Sequence, residues 1–148
     1  MGVIMNWTAT AINELKNYEW HENQIKSLTK RLAITESIMT SPRVASCSAA
    51  PMHGGGNRYE DNLLGYIDKC DTIKAQLARE KANVAIIDTA LEALGVDERR
   101  VLERFFIHGS AEPIRDLCVE LNYERTKIYD LRKSALRKYV AVRYCVET

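Results

Sequence analysis

Apolar residues recur along most of this chain at three- and four-residue steps or their sum. Ala11, Leu15, Tyr18, Ile25, Leu28, Leu32 and Met39 come first, and such spacing lines them along one stripe of a helix. Neither Pro nor Gly interrupts residues 6–39. The pattern therefore predicts one long N-terminal helix within 1–39, capped by Thr8 or Thr10. Residues 40–57, TSPRVASCSAAPMHGGGN, hold two Pro and three consecutive Gly, a composition that stops helices and predicts a flexible linker. The period resumes with Leu63, Tyr66, Ile67, Cys70, Ile73, Leu77, Val84, Ile87, Leu91 and Leu94. This predicts a second long helix over 58–95, with Gly95 as its C-terminal stop. Two such helices either fold back as an antiparallel hairpin or each seam with a second copy in a dimeric coiled coil. Polar Glu22 and Lys74 inside the repeats argue against a strict coiled-coil seam.

From residue 96 the predicted helices shorten. Asp97 and Glu98 open one, where acidic side chains suit the positive end of the helix dipole. Val101, Leu102, Phe105 and Phe106 form its apolar face and Gly109 ends it. Pro113 suits the first turn of the next helix, whose buried side is Ile114, Leu117, Cys118 and Leu121. Asn122-Tyr123 forms a tight turn, since Asn tolerates the left-handed conformation. A last helix spans about Glu124 to Val142, with Ile128, Leu131, Ala135 and Leu136 inward. The expected fold is all-α: a long helical hairpin or coiled coil, then a three-helix unit over 96–148 containing a helix-turn-helix.

Charge then singles out the last helix. The whole chain carries only +1, whereas Arg125, Lys127, Arg132, Lys133, Arg137, Lys138 and Arg143 are opposed there by Asp130 alone. Local clustering of this kind marks a phosphate-binding surface on a nearly neutral protein. A solvated basic helix face is the plainer explanation. In a helix-turn-helix the N-terminal part of the second helix meets base edges. That assigns Arg125, Thr126, Lys127, Tyr129 and Asp130 to bases, and Lys133, Arg137 and Lys138 to phosphates or solvent, with Arg132 a further DNA-binding candidate.

The stretch Glu98 to Tyr139 resembles region 4 of bacterial sigma factors. Glu98-Arg99-Arg100-Val101-Leu102 and Arg104-Phe105 are similar to its opening helix. Leu117-Cys118 and Leu121 are similar to its first motif helix, and Ser134-Ala135-Leu136-Arg137-Lys138-Tyr139 to its "KALRKL" ending. Glu124 stands where that family has a capping Ser or Thr, and Tyr129-Asp130 replace Arg-Gln, so the family's promoter preference is not carried over. No stretch upstream resembles region 2. The whole layout, with Pro42-Arg43-Val44-Ala45-Ser46 between two long helices, resembles the ArpU and RinA-type late transcription regulators of phages and prophages. That resemblance implies action at promoter DNA in the cytoplasm of a bacterial host, with RNA polymerase as a candidate partner. A homodimer through the long helices would present two recognition helices to spaced half-sites.

Other chemistry finds little footing. Apolar residues make up 46% of the 148, enough for a core, and only 7 Gly and 3 Pro occur, which favours helices over turn-rich β structure. Cys47, Cys70, Cys118 and Cys145 form no C-x-x-C motif. His21, His53 and His108 lie in separate segments, none spaced for a helical metal site. His53-Gly54-Gly55-Gly56 resembles a lipase oxyanion string, but no G-x-S-x-G elbow accompanies it. No secretory signal or membrane-length apolar run is present. The expectation is a non-enzyme without cofactor. Trp7, Tyr18 and Trp20 read as core packing or an interface. Two rival functions remain: a small terminase-like DNA-packaging subunit, and a protein-interaction module that binds polymerase or a regulator without DNA.

Overall fold

The computed structural model describes residues 6–40 and 58–147, with the side chain of Tyr59 left aside, and the predicted linker lies outside them apart from Thr40. Within the described residues the protein is all helical. The order is α1 (Trp7–Lys16), α2 (Tyr18–Met39), α3 (Arg58–Glu92), α4 (Val96–Leu102), a π-helical turn (Glu103–Ile107), α5 (Pro113–Leu121) and α6 (Arg125–Tyr144). The chain divides into two compact units: residues up to His21 together with Ala82 onward, and Glu22–Lys81.

Three local expectations are corrected. The single N-terminal helix is two helices, interrupted at Asn17, whose N–H is shared between the carbonyls of Asn13 and Glu14 at 3.2 Å each. The apolar stripe runs on through this break, so periodicity could not reveal it. Asn6 rather than Thr8 or Thr10 caps α1, its side chain accepting the Ala9 N–H at 3.1 Å. Gly95 does not close α3 in a left-handed turn. It has φ −63° and ψ 159° and precedes α4 as its N-cap, with Asp97 and Glu98 in that helix's first turn.

The larger core joins elements from both ends of the chain. Ala11 and Leu15 of α1, Ile87, Ala90 and Leu91 of α3, Leu102, and Ala135, Leu136, Tyr139 and Val140 of α6 form one cluster with Phe106 and Ile107. The unit that holds α6 therefore does not begin at residue 96, as the sequence suggested. The inward face of α6 is longer than α4 and α5 can cover, and α1 with the end of α3 completes it. Trp7 stacks on Tyr144 with ring centroids 4.7 Å apart, and the Tyr18 hydroxyl donates to Asp88 at 2.7 Å. Trp20 stays 54% exposed, so the aromatic trio is not one cluster. A smaller core consists of Val101, Leu117 and Ile128, flanked by Phe105, Cys118, Leu121, Tyr123 and Leu131. Each fully buried aliphatic side chain here contributes about 1.5–3 kcal/mol.

In the second unit, α2 and α3 lie side by side within one chain. Leu28, Cys70 and Ile73 are buried there, and the Cys70 thiol contacts the Met39 sulfur at 3.5 Å. Ile34, Ile38, Leu64 and Ile67 remain exposed on the same two helices.

Candidate nucleic-acid interface

The site is built on α5, a three-residue turn and α6. Pro113 opens α5 with a fixed φ and no N–H to leave unpaired. Asn122 ends it in the left-handed conformation, φ 59° and ψ 36°, a geometry that Asn adopts at modest cost. Glu124 is extended and makes no side-chain cap on α6. The turn is anchored on both sides. Ile128 of α6 packs fully buried against Leu117 and Val101, and the Tyr123 hydroxyl donates to Asp97 of α4 at 2.9 Å. That hydrogen bond to a carboxylate holds the Tyr123 phenol above its ordinary pKa. Arg100 of α4 donates to Glu120 of α5, which keeps the Glu120 carboxyl below its usual range. Together these contacts fix α6 relative to α4 and α5 at its N-terminal half.

The C-terminal half of α6 is fixed by α1. Arg143 Nε donates to Glu14 at 2.8 Å, and the Tyr144 hydroxyl donates to the other Glu14 oxygen at 2.6 Å. Burial, then the Glu14 hydrogen bond, pushes the Tyr144 phenol up.

These contacts sort the predicted site residues. Arg132 lies over the rings of Phe105 and Phe106, at 4.8 and 5.3 Å from their centroids. Lys138 donates to Glu98 at 2.7 Å. With Arg143 on Glu14, three of the seven cations of α6 are turned toward the protein. Arg125, Thr126, Lys127, Asp130, Lys133 and Arg137 are exposed, and Tyr129 is 40% exposed. Lys127 rests 5.9 Å from the Tyr123 ring centre. Among the described residues no ion pair engages Arg125, Lys133 or Arg137.

The exposed residues fall into a pattern. Thr126, Asp130, Lys133 and Arg137 follow steps of four, three and four, and so form one stripe along the helix, opposite buried Ile128, Ala135 and Tyr139. The stripe is about 16 Å long at 1.5 Å per residue, the rise of roughly five base steps. Arg125 lies apart from it. It lines an open groove of about 660 Å³ with Pro113, Ile114, Arg115, Cys118 and Val119. Sequence reasoning did not find this groove, nor exposed Val119, which the apolar period gave no reason to single out.

Among the described residues no group of three or more His, Cys, Asp or Glu is placed to hold a metal ion, and no helix is long and apolar enough to cross a membrane. His108 contacts Glu19 through Nδ1. Cys70 is buried, Cys118 half-buried and Cys145 exposed. His53, Cys47 and Pro42-Arg43-Val44-Ala45-Ser46 lie outside the described residues. The chain matches no protein-family model, curated protein or solved structure.

Proposed function

We propose that this protein binds double-stranded DNA through α6 and regulates transcription, in the manner of the phage and prophage late regulators its sequence resembles. One observation carries the reading: a stripe of exposed cationic and polar side chains on a helix where three further cations, Arg132, Lys138 and Arg143, are held by the protein. Cations left facing solvent on a rigid helix suit phosphates, while Thr126, Tyr129 and Asp130 between them suit base edges. The first N–H groups of α6, with no side-chain cap, add a favourable end for a phosphate. The α5–turn–α6 arrangement fits the helix-turn-helix reading, in which α6 enters the major groove. It performs no catalysis in this reading and needs no cofactor.

A homodimer would carry two copies of α6, and exposed Ile34, Ile38, Leu64 and Ile67 on α2 and α3 support association through those helices. A second reading, docking to RNA polymerase or another regulator without DNA, is favoured by the groove beside Val119, which is 76% exposed.

The test is selection of bound duplexes from fragments of the source genome at near-physiological salt, with the purified full-length chain. Enrichment of a few promoter regions is the expected result. Uniform recovery of all fragments, or of none, sinks sequence-specific regulation and leaves the docking reading.

A further inference from the structure

Asp130 is out of place on a surface that meets only phosphate. It is exposed, and it sits in the same stripe as Lys133 and Arg137 on a helix with no other acidic residue between Arg125 and Tyr144. Among the described residues no hydrogen bond or ion pair occupies its carboxylate, although Lys127 and Lys133 stand three positions to either side, within helical reach. Arg99 and Arg100 of α4 pair with Glu103, and Arg115 of α5 with Glu112, all three or four positions apart.

A carboxylate only accepts hydrogen bonds. Every phosphate oxygen along a duplex is also an acceptor and negatively charged, so Asp130 weakens contact with the backbone. The donors that a major groove offers are the exocyclic amines of cytosine and adenine. Either amine has the acceptor of its paired base on one side, guanine O6 or thymine O4; on the other side the adenine amine is flanked by the N7 acceptor, which repels a carboxylate, and the cytosine amine by C5–H, which does not. Resting on the DNA-binding reading above, we propose that Asp130 is a specificity-determining residue that accepts a hydrogen bond from the N4 amine of a cytosine in the major groove. Lys133 and Arg137, one and two turns further along the stripe, hold the adjacent backbone while Asp130 sets the base.

The experiment compares the wild-type full chain with Asp130→Ala and Asp130→Asn in selection from a random duplex library, followed by titration on the selected site and on each single-base variant. Asp130 is exposed and joins no hydrogen bond or ion pair among the described residues, and circular dichroism of each variant checks that it folds. The expected wild-type result is a required cytosine at one position, preferred about tenfold over the other bases. Asp130→Ala loses that preference at that position alone while binding unrelated duplexes more tightly. Asp130→Asn moves the preference to adenine, because an amide pairs with adenine N6 and N7. If Asp130→Ala tightens binding to all sequences and leaves every base preference intact, Asp130 acts only as a charge and the proposal is overturned. If the wild type binds no duplex selectively, the DNA-binding reading itself falls and this inference with it.

Discussion

Arg143, near the end of α6, donates to Glu14 of α1 at 2.8 Å across 129 positions of sequence. The two side chains are 28% and 17% exposed, so the pair is shielded from bulk water and salt more than a surface ion pair. Tyr144 shares the same carboxylate. Glu14→Ala therefore strands one guanidinium and one hydroxyl and is expected to cost about 2 kcal/mol in urea unfolding. Arg143→Ala costs less, because Glu14 keeps Tyr144. The double variant loses about 1 kcal/mol less than the sum of the singles. Simple additivity would mean that the two side chains do not stabilise each other.

Tyr139 gives the opposite sign. Its ring is fully buried in the larger core, and its hydroxyl lies near the Arg143 guanidinium without a well-formed hydrogen bond among the described residues. A buried hydroxyl left without a bond is a net loss, so Tyr139→Phe is expected to raise stability by about 1 kcal/mol. A lower melting temperature for this variant would reveal a partner for the hydroxyl.

The same tyrosines predict an alkaline limit. Tyr139 and Tyr144 are raised chiefly by burial, and Tyr123 by its hydrogen bond to Asp97. The folded state holds these protons more tightly than the unfolded chain. Stability is then complete below the ordinary tyrosine pKa of about 10 and falls as pH rises through and above it. Thermal melts from about pH 8 to about pH 11 should show this decline, and Tyr139→Phe should make it shallower. A melting temperature constant across that range would contradict the assignment.

The cations of α6 should separate into two classes under salt. Lys133→Ala and Arg137→Ala are each expected to weaken binding to every duplex and to lower the slope of log affinity against log salt by about 1. Arg132→Ala should leave that slope unchanged and lower stability by about 0.5–1 kcal/mol, through lost stacking on Phe105 and Phe106. A reduced slope for Arg132→Ala would place its charge on the backbone after all.

Sequence pattern anticipated the elements better than it anticipated the surface. Periodicity located Leu117, Ile128, Ala135 and Leu136 on inward faces, and turn chemistry picked Asn122, because both signals are local. Nothing local distinguishes Arg132 from Lys133, or Lys138 from Arg137. Their fates depend on Phe105, Phe106 and Glu98, which are between 26 and 40 positions away. The role of α1 was hidden for the same reason. Ala11 and Leu15 announce a buried face but not its partner, and Glu14 reads as one more solvated carboxylate. The interruption at Asn17 leaves the apolar stripe intact, so it had no signature either.

The meeting of α1 with α6 also bears on how the molecule is made. During synthesis α1 emerges before α6, and Ala11, Leu15 and Trp7 must wait for a helix that follows far along the chain. Closing so wide a loop is entropically slow. Until it closes, the nascent protein displays an apolar ridge that α6 covers in the folded state, and that is the interval in which a chaperone, or a neighbouring nascent chain, would find something to hold.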